Sequence, residues 1–467
     1  MAEMAGETDP ENIITPAQSN AGKGLDKKTI QEDAVFGEIQ EGGVNYRDVG
    51  WKGTTALMLK TQMGLGVLSI PQVFDTLGII PGIIIVLAIS FMTGWSNWMV
   101  GVFKLRHPEV YGIDDVGRML FGRVGFELLG AAYSLFWIFV SGSAMLSISI
   151  ALNALSSHAI CTAIYVVIAA IIGFVLSSIQ TLARMSWLAW VGTFCIILSV
   201  SIVTIAVGVQ GHPPAIDGII PERDYKLFGS PTFTEAMSAI STVCLSYAGT
   251  PAFFNIVAEM KDPRFYNRSL AVSQSIITIV YIVCGTVVYL YCGSHVASPA
   301  LGSAGILIKK ICYGIALPGL IVSEVVLLHL PAKHILVRIL RGSKHLTNHT
   351  TIHWVTWLGS TFTVSLIAYI IASGIPVFSG LVSLVGALFA TSLIFQPMGC
   401  MWLYDNWGTG PGGKSVWWLV KAAWSCFIIA VGCFLTVGGT YGSIVGIRDS
   451  YDQSGGSAAW SCANNDV

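Results

Sequence analysis

The constraint that dominates this chain of 467 residues is a series of long, uncharged apolar runs recurring from Gly53 to Gly446. A run of about 18 or more apolar residues can cross a bilayer as a helix. Hydrophobic residues make up 54% of the sequence and charged residues 11%, which excludes the two or three soluble domains that this length would otherwise suggest. Alternation in segments of about 10 residues, the signature of a membrane β-barrel, does not occur. The expectation is an all-α polytopic membrane protein.

The runs divide into 11 transmembrane helices. The first is Trp51–Leu77 and the second about Gly78–Val102, with Trp95 and Trp98 at an interfacial end. A charged connection, KLRHPEVYGIDDVGRMLFGRVG, reads as partly helical on the membrane surface. Helices three to five follow at about Phe126–Leu155, Ala159–Ser178 and Trp187–Val209. A Pro-rich polar segment then leads to helix six at about Phe233–Met260, helix seven at Tyr266–Cys292 and helix eight at Ile306–His334. Helices nine to eleven are expected at about Ile352–Ser373, Val377–Leu403 and Val416–Val437.

Of the 25 Lys and Arg residues, 19 fall on one set of alternate loops and the N-terminal tail, 5 on the other set, and Lys60 lies inside helix one. The excess places the N-terminus in the cytosol and the C-terminus outside. The sequons at Asn267 and Asn348 then lie in cytosolic loops and should carry no glycan. Residues 1–48, rich in Glu, Asp, Gly, Asn and Gln, cannot bury enough apolar surface to fold alone and read as a disordered tail. No cleavable signal peptide is visible there, and residues 441–467 read as a polar, mobile, extracytosolic tail. The net charge of −1 offers no footprint for nucleic acid. The ten cysteines are scattered and none forms CxxC, so they read as small buried apolar residues rather than metal ligands.

Two helices carry interruptions. Helix one holds Gly64-Leu65-Gly66 at its centre and Pro71 beyond, although each glycine weakens a helix interior by about 1 kcal/mol against Ala. Either the helix is broken there, exposing backbone groups to a polar ligand, or the glycines admit a neighbouring helix. Helix six holds Gly249 and Pro251 in SYAGTPAFFN. Paired interruptions five helices apart are what a five-plus-five inverted repeat predicts, with repeat one about 51–209, repeat two about 233–404 and helix eleven outside both.

GLGVLSIP in helix one, KLRHPEVYGIDDVGRMLFGRVG after helix two and AGTPAFFNIVAEMKDPRF at helix six resemble the amino acid/auxin permease family, and within it the fungal neutral amino acid permeases of the N-system type. The resemblance spans roughly residues 50–440. It implies the amino acid–polyamine–organocation type of fold with helices one and six broken, and secondary active amino acid transport, usually driven by protons in fungi. Carried onto this chain, it implies that backbone N–H groups at Gly64, Leu65 and Gly66 meet the substrate carboxylate. The ammonium would be held by Ser246, Tyr247, Ala248 and Gly249, with Thr61 nearby. Tyr247, Phe253 and Phe254 are candidate pocket walls, with lipid-facing or packing roles as the alternative. The partners implied are a free amino acid and the lipid bilayer; no cofactor or metal is implied beyond a coupling ion, H+.

Two ionisable residues lie within membrane helices, where a charge costs about 2.5–3.5 kcal/mol by insertion scales and is a functional candidate by default. Lys60 precedes the Gly64–Gly66 stretch by one turn. Its ammonium could take the place of the sodium ion of coupled relatives, or snorkel to the cytosolic interface. Glu324 in helix eight is a candidate proton carrier or a structural hydrogen-bonding group. His329, His334 and Glu259 lie nearer the cytosolic ends, where interfacial roles are expected. No HExxH, GxSxG or paired-carboxylate cluster suggests an enzyme, and no filter loop suggests a channel. The reading is therefore a proton-coupled symporter of neutral amino acids, not an enzyme, at the plasma membrane rather than the vacuolar membrane. An amino acid sensor signalling through the N-terminal tail is the alternative.

Overall fold

The computed structural model describes residues 31–33, 37–39, 47–179, 182–213, 222–343, 345–346, 348, 350–375, 378–408, 415–454, 460 and 462–465. Most of the expected tail at 1–48 lies outside this set. Within it, β1 (Gln31–Asp33) and β2 (Gly37–Ile39) pair antiparallel, with Glu32 opposite Glu38. Those six residues are thus a strand pair rather than the disordered segment their composition suggested.

The rest is helical. α1 is Trp51–Leu77, α2 Ile79–Arg106, α3 Ile113–Ser156, α4 Thr162–Ser177 and α5 Leu182–Gln210. α6 (Phe233–Ser246) and α7 (Thr250–Ala258) are followed by α8 (Tyr266–Cys292), α9 (Ile306–Leu340) and α10 (Thr351–Gly374). α11 (Phe378–Val385), a π-helical turn at Gly386–Ala390, α12 (Thr391–Ile394) and α13 (Gln396–Asn406) together make one span. α14 runs from Val416 to Ser454. Among the described residues nine stretches are long and apolar enough to cross a membrane. α4 is apolar but has 16 residues, and α1 has the length but carries Lys52, Lys60 and Asp75.

The two interruptions resolve differently. At helix six the chain does break: α6 ends at Ser246, Tyr247 leaves the helix, and α7 begins with Pro251 in its first turn. Proline suits that place because its missing N–H would have no intrahelical partner. A capping box at the far end of α6, in which Thr232 and Glu235 exchange bonds, fixes its start. Helix one does not break. α1 is continuous through Gly64, Leu65 and Gly66, and the glycines serve the second reading, close approach. A Cβ at Gly66 would sit 2.8 Å from the Ser246 Cα, and one at Gly64 3.0 Å from the Ser323 Cβ. α1 therefore presses against the end of α6 on one side and α9 on the other.

α3 begins at Ile113, inside the segment read as a surface connection, and bends at Phe121-Gly122, where Gly122 takes φ +65°. Gly78 (φ +87°) turns the chain from α1 into α2, a left-handed conformation that suits a residue without a Cβ.

The C-terminal end departs most from expectation. α14 continues well past Val437, and the chain then returns to the far ends of other helices. Cys462 forms a disulfide with Cys161 ahead of α4. The Thr162 hydroxyl donates to the Ala463 carbonyl (2.6 Å), Asn465 bonds Asn153 and Ser149, and the Trp460 N–H donates to the Ser373 carbonyl at the end of α10. Two of the ten cysteines are thus a cross-link, and Trp460 with residues 462–465 is strapped onto the helix ends instead of forming a mobile tail.

Candidate functional site

A small cavity of about 20 Å³ lies where α1 passes the α6–α7 break. Lys60, Thr61, Gln62, Gly64 and Gly66 face it from α1, and Leu245 and Ala248 from the break. Phe136, Trp137 and Val140 of α3 and Leu327 of α9 close it. This volume holds about one water molecule, so nothing larger fits there unless these elements separate.

The polar groups around the cavity are unevenly satisfied. The Thr61 hydroxyl donates back to Met58 (3.0 Å). Ser246 is fully engaged: its hydroxyl donates to the Thr242 carbonyl (2.8 Å), and its backbone carbonyl accepts from the Tyr281 hydroxyl (2.8 Å), which also lies against the Gln62 backbone carbonyl (2.9 Å). By contrast, the Lys60 ammonium and both atoms of the Gln62 amide are buried with no hydrogen-bond partner. A buried donor or acceptor left unpaired costs about 1–3 kcal/mol, so these groups are held at a cost unless something else binds them.

Lys60 does not snorkel. It is 1% exposed, and its stem lies against α5, where a Cβ at Gly192 would be 3.1 Å from the Lys60 Cε and 2.8 Å from the Val322 Cβ of α9. The ammonium therefore sits among α1, α5 and α9. Glu324 is equally buried and unpartnered but is not part of the cavity. Its carboxyl rests on α4, where a Cβ at Gly173 would be 2.7 Å from its Cδ.

The other sequence candidates divide. Ala248 faces the cavity, and Gly249 lies beside Gln62, 2.9 Å separating its hypothetical Cβ from the Gln62 Cγ. Tyr247 turns toward α8, stacking edge-on with Tyr281 at 5.2 Å and bonding Thr278. Phe253 and Phe254 are buried in α7 and do not line the cavity. The Leu65 side chain lies outside the described residues. Gln62, Phe136, Trp137 and Leu327 were missed because nothing local marks an uncharged side chain in an apolar helix as cavity-facing.

The three residues assigned to an interface are instead buried. Glu259 pairs with Lys333 at 2.5 Å, and His334 with Asp114 at 3.1 Å. His329 packs edge-on against Trp357 at 5.2 Å. The backbone N–H of Val49 adds a bond to the Glu259 carbonyl (3.1 Å), and Tyr133 bonds Asn255 (2.9 Å). The end of α7 is thus fastened to α3, α9 and the segment before α1. At the other end, a cavity of about 330 Å³ opens among α1, α6, α11 and α14, lined by hydroxyls such as Thr76, Ser238, Thr242, Ser383 and Ser443, with Glu235 and Asp449. The loop beside it is held by Asp224, which accepts from the Ser294 N–H (2.8 Å) and hydroxyl (2.5 Å). Burial pushes that carboxyl up, but the Ser294 bonds, a backbone N–H of its own and the nearby His295 together hold it below its ordinary value.

The family model described as transmembrane amino acid transporter protein matches residues 47–445. A transmembrane transporter of Gibberella moniliformis is 32% identical over 460 residues, 97% of this chain and 95% of its own. The N amino acid transport system protein of Neurospora crassa is 31% identical over 434 residues, 91% of each chain. Among solved structures, MhsT in complex with L-phenylalanine superposes with a TM-score of 0.56 at 11% identity, covering 82% of this chain and 98% of that one. Mhp1, a nucleobase-cation-symport-1 family transporter, gives 0.54 at 13% identity, covering 92% and 95%. At such identities these two likenesses speak for the fold alone.

Proposed function

The chain belongs to the transmembrane amino acid transporter family, and from that premise we propose that it moves neutral amino acids by proton symport and alternating access. The observation that carries the neutral preference is the cavity at the α6–α7 break. Its walls are Phe136, Trp137, Val140, Leu245 and Leu327, and among the described residues its one charged side chain is Lys60 and none is a carboxylate. A basic side chain would enter that space beside the Lys60 ammonium with no carboxylate to pair it, at the desolvation cost of a buried ion, and an acidic one would have to draw Lys60 away from the coupling role proposed for it.

Proton coupling rests on Lys60 and Glu324. Both are buried and unpartnered, and an ionisable group in such a place is a functional candidate. The Lys60 ammonium supplies positive charge among α1, α5 and α9 without a bound metal cation. The repeat underlying this design is the five-plus-five arrangement of an eleven-helix chain, in which α1 stays continuous while the cavity is closed. The outer cavity of about 330 Å³ and the fastened end of α7 correspond to a transporter closed toward the cytosol. The Cys161–Cys462 cross-link suits an oxidising, extracytosolic C-terminus, with the N-terminus in the cytosol and the plasma membrane as the site of action.

The test is uptake of labelled phenylalanine into proteoliposomes under an imposed proton gradient without sodium. Concentrative uptake abolished by a protonophore is expected, with competition by excess leucine and little by aspartate or arginine. Uptake that requires sodium refutes the role of Lys60, as does full proton-coupled uptake by Lys60→Ala. Arginine competing as strongly as leucine refutes the neutral preference, and binding without uptake points to a sensor.

A further inference from the structure

The Gln62 amide has both a donor and an acceptor at the central cavity, and neither has a partner. The side chain is 3% exposed, and its Cγ lies against the α6–α7 break at Gly249. The backbone donors expected to receive a carboxylate are engaged elsewhere: Gly64, Leu65 and Gly66 lie inside a continuous helix, where each N–H bonds the carbonyl four residues back. Residues 60 and 62 are about 200° apart around a helix of 3.6 residues per turn, so both border the cavity but the end of the Lys60 side chain reaches to α5 while Gln62 lies against the break.

We propose that Gln62 is a substrate-contacting, specificity-determining residue: its NH₂ donates to the α-carboxylate of the bound amino acid and its carbonyl accepts from the α-ammonium. The inference rests on reading the central cavity as the amino acid site. A neutral amide carries one donor and one acceptor sense, which matches a zwitterion. A carboxylate there would repel the substrate's own, and an ammonium or guanidinium would repel the substrate's ammonium. The amide thereby reads the part that all α-amino acids share and leaves the side chain to Phe136, Trp137 and Leu327. The substrate class that follows is the α-amino acid with both ends free; esters, N-acyl derivatives and simple amines are rejected.

The experiment uses the full chain in proteoliposomes, with phenylalanine as substrate and phenylalanine methyl ester and 2-phenylethylamine as competitors. In the unaltered protein, neither analogue should compete within tenfold of phenylalanine. Gln62→Glu keeps the shape but replaces the NH₂ donor by an oxygen: KM for phenylalanine should rise at least tenfold while 2-phenylethylamine competes better than before. Gln62→Leu should lose the discrimination between phenylalanine and its ester. A KM within twofold of the unaltered protein in both variants overturns the proposal, as does unchanged ester discrimination in Gln62→Leu. Should a variant fail to fold, the unaltered protein still decides, since equal competition by the ester and the amino acid also overturns it. If the unaltered protein takes up no amino acid, the transport reading itself fails and this inference falls with it; uptake insensitive to Gln62 sinks the inference alone.

Discussion

Lys333 and Glu259 face each other at 2.5 Å between α9 and the end of α7, and each side chain is no more than 3% exposed. Removing one partner from such a pair strands a buried charge and typically costs about 3–5 kcal/mol, whereas replacing both with apolar residues can be nearly neutral. Lys333→Ala and Glu259→Ala are each expected to lower the thermal stability of the purified protein markedly. The double variant Lys333→Met with Glu259→Leu should recover most of the loss. Because the pair fastens the end of α7, which continues from the break beside the cavity, the double variant should also open the cytosolic side more readily. Cysteine labelling from the cytosolic face measures that, and an additive loss of stability with no change in labelling argues against a closing role.

Gly66 and Gly94 both stand inside membrane helices but in opposite circumstances. A Cβ at Gly66 would press on the Ser246 backbone at 2.8 Å, while one at Gly94 would find only the Gln274 Cγ at 3.9 Å. Gly66→Ala should therefore push α1 from α6, costing about 1–3 kcal/mol as overpacking and slowing uptake. Gly94→Ala gains up to about 1 kcal/mol of helix propensity without a clash. Thermal unfolding of the two variants side by side decides, and equal stabilities would show that the α1–α6 contact has slack.

Gly66 and its neighbour Gly64 also mark what the sequence could and could not say. The break at Tyr247–Gly249 was legible because Pro251 lacks an N–H, a local property. The role of Gly64 and Gly66 was not, because two glycines can unwind a helix or admit a neighbour, and the decision lies with Ser246 and Ser323, which are distant in the chain. Lys60 stood out as a charge in an apolar run, but that α5 and α9 would enclose it depends on tertiary packing. Gln62, Trp137 and Leu327 gave no signal, since an uncharged side chain in an apolar helix has the same pattern whether it faces lipid, core or cavity. Glu259 stood out as a carboxylate near a helix end, but its pairing with Lys333 did not.

Asp224 carries the pH dependence expected at the loop beside the larger cavity. Its carboxyl is held below the ordinary range by the Ser294 bonds, against the opposing effect of burial. A lowered folded value means that its stabilising contribution is fully present above the ordinary aspartate pKa of about 3.9 and is lost as pH falls through the folded value. The unaltered protein should lose its advantage over Asp224→Asn as pH drops below about 4, measured as the difference between their unfolding temperatures. A difference that stays constant from neutral pH down through that range contradicts the assignment.

Cys161 and Cys462 are 301 residues apart in sequence and joined in the fold. A disulfide closing so long a loop restricts the unfolded chain, and losing one commonly costs about 2–5 kcal/mol. Noncovalent contacts hold the same strap: the Thr162–Ala463 bond, the Asn153–Asn465 bond at 2.6 Å, and Trp460 edge-on to Tyr369 at 5.4 Å. Cys161→Ser with Cys462→Ser should therefore remain folded but unfold at a lower temperature, and reductant should no longer shift it. A cross-link also fixes sidedness, because thiols facing the cytosol are kept reduced. A membrane-impermeant reductant applied outside intact cells should free two thiols for maleimide labelling, while the sequon at Asn267 remains without glycan. Labelling only after permeabilisation, or a glycan at Asn267, would reverse the orientation and put the outer cavity on the cytosolic side.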